Sequence, residues 1–98
     1  MENSDKPEMT LLQSGEHFKT LNITAKAGMI MPLHHSTKEA VIVVLSGESL
    51  LVMPDGQHKL SQGGTFIIPK MVSHSLKVVS DFHAIAVMET SSAIEFED

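Results

Sequence analysis

Residues 28–47 read GMIMPLHHSTKEAVIVVLSG, and the fold turns on how this stretch is parsed. Its second half, Ala40–Leu45, is apolar at every position and mostly β-branched. Such a run forms a strand covered on both faces, because β-branched side chains pack well on a pleated surface and lose rotamer freedom in a helix. A helix starting at Lys38 is therefore the weaker alternative. Ser46–Gly47 ends the strand. In the first half, Pro32 confines the preceding strand to an edge or to its own start. His34, Ser36 and Ala40 share a parity, so on extended chain they face one way. His35 and Glu39 are one residue out of phase, and a bulge at Pro32 or Ser36 would re-aim His35.

Short apolar runs flank this stretch on both sides, each closed by a turn signal. Upstream, His17–Lys26 alternates apolar and polar residues, with one phase slip at Thr20–Leu21 that suggests a bulge. Downstream, Leu50–Met53 and His58–Leu60 flank Pro54–Asp55–Gly56, a hairpin turn. Phe66–Ile68 stops at Pro69, and Leu76–Val79 and Phe82–Met88 are divided by Ser80–Asp81. About eight strands with closely spaced turns predict an all-β sandwich or barrel. Residues 1–10 are expected to be a loose tail or short edge strand, with a helix start over Lys6–Gln13 as the alternative. Residues 91–98 form a similar end, and Glu95–Asp98 reads as a solvating tail.

A length of 98 residues gives one domain. The 42% hydrophobic and 19% charged content is that of an ordinary globular chain. A net charge of −5, no Trp or Tyr and four Phe argue against nucleic-acid binding, which needs clustered cations and stacking platforms. No stretch has the length of a membrane span or the pattern of a signal peptide, so a cytoplasmic protein is the default expectation. Cysteine is absent, which removes disulfides, thiol nucleophiles and thiolate metal sites. Six histidines make imidazole the first place to look for chemistry. No nucleophile elbow or phosphate-binding glycine loop is present.

The chain resembles the cupin superfamily, small jelly-roll barrels (double-stranded β-helices), over roughly residues 18–90. The first cupin motif runs glycine, five residues, His-x-His, three or four residues, glutamate, six residues, glycine. Gly28, His34 and Gly47 fall on it, whereas Ser36 and Ala40 stand at the second histidine and the glutamate. The second motif is carried by Gly63, Pro69 and His74, with Met71 and Val78 replacing its later glycine and asparagine. The phrases VLSGE and IIPKMVSHSL belong to the same likeness.

The resemblance implies a single-domain all-β barrel, a homodimer, and a ligand pocket lined by His34, Ser36, His74 and Met31. It also implies a divalent ion, zinc, iron, manganese or nickel, on His34 and His74. That donor set is incomplete, and His35 or His83 is the candidate extra ligand. The favoured reading is a small-molecule-binding cupin. The alternatives are a metal-dependent enzyme such as a dioxygenase or isomerase, and a structural or regulatory dimer with a vestigial pocket. His17 and His58 read as solvated. The methionines, among them Met29, Met31 and Met71, are read as adaptable core and pocket lining. A thioether copper site is the competing reading, and no dense Met-x-x-Met run supports it.

Overall fold

Inward side chains on β4 (Ala40–Ser46) are Ala40, Ile42 and Val44, all buried, while Val41, Val43 and Leu45 face out. The same alternation runs through β9 (Phe82–Glu89), where Phe82, Ala84, Ala86 and Met88 face in. Facing layers of this kind bury their inner sides against each other and form one core. The computed structural model describes residues 6–97. The remaining strands are β1 (Glu8–Ser14), β2 (Phe18–Ala25), β3 (Ile30–Ser36), β5 (Glu48–Met53), β6 (Gly56–Ser61), β7 (Thr65–Ile68), β8 (His74–Val78) and β10 (Ile94–Phe96).

They form two five-stranded antiparallel sheets, ordered β1-β2-β9-β4-β7 and β10-β3-β8-β5-β6. Position by position, chain turns join β2 to β3, β9 to β8, β4 to β5 and β7 to β6. All these turns lie at one end of the sandwich. The crossovers β3–β4, β7–β8 and β9–β10 lie at the other. This is a jelly roll. The tightest turn is a single residue, Gly47, between β4 and β5. Its φ is +83°, and a Cβ there would run into the Asp81 carbonyl, so only glycine makes this crossing.

Ten strands form among the described residues, against about eight expected. The two beyond the eight are the outer strands β1 and β10, at the ends read as a tail or an edge segment. Neither helix start forms: Lys6–Gln13 falls largely in β1 and Lys38–Leu45 largely in β4. The phase slip at Thr20–Leu21 belongs to the neighbouring strand. Leu11 pairs with Leu21 and Gln13 with Thr20, which leaves Leu12 as the extra residue on β1, while β2 pairs with β9 without interruption. Phe18 is off phase and exposed. Pro32 sits inside a paired strand, because the β3–β8 register shifts between Met31 and His34. A bulge needs no ladder bond at that point and accommodates proline. Residues 1–5 of the expected N-terminal tail and Asp98 lie outside the described residues. No helix among the described residues is long and apolar enough to cross a membrane.

Candidate functional site

The β3 bulge decides what faces the interior. Met31 points inward, two residues occupy the bulge, and His34 and Ser36 then return to the inner face, buried. His74 opens β8 directly opposite His34, and the two are cross-strand partners. Their rings meet edge to face with centroids 4.2 Å apart. The motif positions separated by forty residues in sequence are thus nearest neighbours in the fold.

Each ring is oriented by the main-chain carbonyl two residues before it. His34 Nδ1 donates to the Pro32 carbonyl at 2.6 Å, and His74 Nδ1 donates to the Val72 carbonyl at 2.9 Å. A carbonyl only accepts, so both protons sit on Nδ1 and the Nε2 lone pair stays available. Burial pushes both pKa values below the ordinary histidine value, against the smaller opposing effect of those backbone bonds. Both imidazoles are therefore neutral at neutral pH.

The rings border a cavity of about 50 Å³ between the sheets. His34, Ser36 and His74 are its polar wall, and the rest is apolar, including Met9, Met31 and Met88. Ala40, at the motif's glutamate position, lines it as well. A cavity that holds benzene measures about 150 Å³, so this one admits an occupant of only a few heavy atoms.

The other candidates lie elsewhere. His35 points out of the barrel, where Nδ1 meets Glu97 at 2.7 Å and Nε2 meets Glu95 at 3.1 Å. Glu97 also accepts from the Ser73 hydroxyl at 2.6 Å. Ionised carboxylates only accept, so His35 is an imidazolium, and the Glu97 hydrogen bond raises its pKa. The Ser73 hydroxyl, then His35, holds the Glu97 carboxyl below the ordinary carboxylate range. Glu95 and Glu97 are thus tied to β3, and the reading of this end as a solvating tail is corrected. His83 borders a second, more polar pocket of about 400 Å³ near the short turns, with its Nε2 donating to Asn22 Oδ1 at 2.6 Å. His17 is exposed beside Glu16, and His58 is bonded to Asp55 with its ring 5.0 Å from Phe66.

Sequence reasoning did not find the C-terminal contribution. β10 pairs Ile94 with Ser36 and Phe96 with His34. Ile94 thereby lines the cavity, and the Phe96 ring lies 5.0 Å from His34. The preceding loop is held by Ala93 N on Thr37 Oγ1 and Lys38 N on Ser92 Oγ. The apolar alternation of Ile94 and Phe96 was the available signal, and it is two residues long.

The divalent ion implied by the cupin resemblance does not fit these residues. Among the described residues no three His, Asp or Glu side chains are grouped to hold a metal. Ser36 and Ala40 supply no anionic donor, and a stable site wants three or four protein ligands.

The family model for the Cupin domain matches residues 21–88. No curated protein matches the chain in sequence. Among solved structures, the DMSP lyase DddQ from Ruegeria pomeroyi superposes with a TM-score of 0.84 at 18% identity, over 94% of this chain and 52% of the lyase. The chain thus spans about half the length of that enzyme. Salicylate 1,2-dioxygenase from Pseudoaminobacter salicylatoxidans gives 0.80 at 17% identity, over 96% of this chain and 30% of that one. An RmlC-like cupin from Desulfovibrio desulfuricans gives 0.73 at 27% identity, over 93% and 83%. The two enzymes share the fold with this chain at identities too low to lend it an activity. With both motif frames superposed on ten jelly-roll strands, and the family match spanning β2 to β9, the chain belongs to the cupin domain family.

Proposed function

We propose that the barrel binds a small, uncharged or weakly polar ligand of a few heavy atoms, held by His34 Nε2 and His74 Nε2. The supporting observation is a pair of neighbouring neutral imidazoles at an otherwise apolar cavity, each with its Nδ1 already committed to the main chain. Neither Nε2 has a hydrogen-bond partner among the described residues. A ligand with an N–H or O–H donor satisfies one of them while the apolar wall takes its carbon atoms. Binding energy has a ceiling of about 1.5 kcal/mol per heavy atom, so ligands of three or four atoms bind no more tightly than roughly 0.5 mM to 40 μM. Formamide and isopropanol, titrated by NMR, test this. The expected result is saturable shifts at the His34 and His74 rings and at the Ile42 and Leu51 methyls, abolished when Ala40→Leu fills the cavity. Shifts confined to exposed His17 would overturn it.

A homodimer is part of the same proposal. Its support is the outer face of the β1-β2-β9-β4-β7 sheet. Register there sets Val41 beside Ile67 and Val87, and Val43 beside Ile85. Ile67 is 58% exposed and the others are half-buried. A contiguous apolar sheet face of this kind marks an interaction surface. Sedimentation should report a dimer for the unaltered chain and a monomer for Val43→Lys. A monomer in both would end this reading.

A further inference from the structure

Four strands of one sheet bring a polar row together on its outer face. Register sets Glu8 beside Thr24, Thr24 beside His83 and His83 beside Ser46. Direct cross-strand neighbours of this kind stand about 5 Å apart. Ser46 joins the row because the β4–β9 register shifts after Val44, which leaves Leu45 as the extra residue. Without that bulge Ser46 would keep the inward parity of Ile42 and Val44. His83 Nε2 is bonded to Asn22 Oδ1, which leaves Nδ1 for a ligand. Lys26 follows two residues after Thr24 and so stands diagonal to Glu8. Glu8, Thr24, Lys26, Ser46 and His83 all line the pocket of about 400 Å³ near the short turns.

This pocket is preformed and balanced in charge. Gly28 N donates to the Val78 carbonyl at 2.8 Å, Val78 N to Met29 at 2.9 Å and Val79 N to Glu48 at 2.9 Å. Ala27 N donates to Asp81 Oδ1 at 2.9 Å. The turns around the pocket are thus tied to one another, and a ligand does not have to order them. Lys6 and Lys26 bring positive charge to the wall, and Glu8 and Asp81 bring negative charge. Neither the Lys26 ammonium nor the Glu8 carboxylate has an ion-pair or hydrogen-bond partner among the described residues. A simple anion meets two carboxylates here, and a simple cation meets two ammonium groups. A molecule carrying both charges can set each against its opposite. Ala25, Met29 and Phe82 add apolar surface. A volume of about 400 Å³ falls within the range of small-molecule sites, about 300–1,000 Å³.

We propose that this outer pocket binds a free α-amino acid with an uncharged side chain. Its carboxylate meets Lys26 and the Thr24 hydroxyl, its ammonium meets Glu8, and its side chain lies against Met29. The site is separate from the barrel cavity, so the two stand or fall independently. L-leucine and L-serine, titrated by NMR and calorimetry, are the probes. The expected result is one amino acid per chain, with saturable shifts at the Thr24 and His83 resonances and the Met29 methyl. Two fragments of leucine test the need for both charges. 4-Methylpentanoate lacks the amino group and 3-methylbutylamine lacks the carboxylate. Each should bind at least tenfold more weakly than L-leucine. Lys26→Met and Glu8→Gln, both at exposed positions, should each weaken L-leucine at least tenfold with the circular dichroism of the fold retained. Ala40→Leu, which fills the inner cavity, should change nothing. The fragment comparison uses the unaltered chain and holds even if a variant fails to fold. No saturable shift with either amino acid would overturn the proposal. So would a fragment that binds as tightly as L-leucine, full binding in both charge variants, or loss of binding in Ala40→Leu.

Discussion

His34 and His35 are consecutive residues on one strand, yet they have opposite chemistry. His34 is turned into the barrel, neutral, its pKa lowered by burial. His35 is turned outward and charged, its pKa raised by the Glu97 hydrogen bond, with Glu95 on its second nitrogen. The difference comes from the pleat, set in phase by the bulge after Met31. Residue type and neighbourhood in sequence say little about protonation here. The face of the strand decides it. One histidine borders the cavity, and the other holds β10 to β3.

The largest test of this contrast puts a charge on the wrong face. His34→Glu buries a carboxylate against apolar wall with no cation to meet it. It should cost about 3 kcal/mol at neutral pH, read by urea unfolding, and the loss should shrink as pH falls and the carboxyl protonates. Should His34→Glu be tolerated as well as the same change at Gln57, the inner face does not penalise a charge as an apolar wall must.

Removing the outer clamp should cost less, since its partners are reached by solvent. Glu97→Gln and His35→Gln should each lower the melting temperature. The double variant should fall little below either single one, because the two changes break one interaction. Full additivity would mean that His35 and Glu97 act separately.

The pH dependence of stability should split between the faces. His34 and His74 have folded pKa values below the ordinary 6.5. Below that value the unfolded chain takes up more protons than the folded one, so their contribution is lost as pH falls from about 6.5. His35 has a raised folded pKa, so its contribution is complete below 6.5 and is lost as pH rises through the higher value. Glu97 adds stability above the ordinary carboxylate range that disappears in acid. Stability measured across pH 5–8 should lose its acid-side fall in His34→Gln/His74→Gln and its alkaline-side fall in His35→Gln. Identical profiles for the two variants would erase the distinction between the faces.

The smallest effect concerns Ser49, on the inner face of β5. Its hydroxyl is fully buried with no hydrogen-bond partner among the described residues. Ser49→Ala should leave stability within about 0.5 kcal/mol or raise it. A clear loss would show that the hydroxyl is bonded in solution.

The barrel was legible because its signals are local and repeated. The apolar run Ala40–Leu45, the Pro54–Asp55–Gly56 turn and the motif glycines each constrain the backbone where they stand. His34 and His74 were legible as a pair only through the spacing of the two motifs. What escaped depends on partners far away in the chain. β10 is three residues long and owes its place to β3, where Glu95 lies beside His35. Its acids read as solvent-facing because nothing near them in sequence carries a positive charge. From the sequence, a bulge at Pro32 or Ser36 is a device to re-aim His35, and one forms at Pro32 and Leu33. It instead returns His34 and Ser36 to the inside and leaves His35 out. Met9 and Met88 reach the cavity only once the outermost strand and the middle strand of the facing sheet are in place.

The burial of those methionines also makes the barrel a recorder of its own opening. Sulfur in Met31 and Met88, 5% and 2% exposed, is shielded from peroxide, whereas Met71, 59% exposed, is not. Under mild oxidant Met71 collects oxygen at the rate of a free thioether, and the two inner residues do so only during the moments when the sheets part. The ratio of those rates, read by mass spectrometry, measures how often the interior is wetted. Any occupant that closes the barrel will be visible as a slower accumulation of sulfoxide inside it.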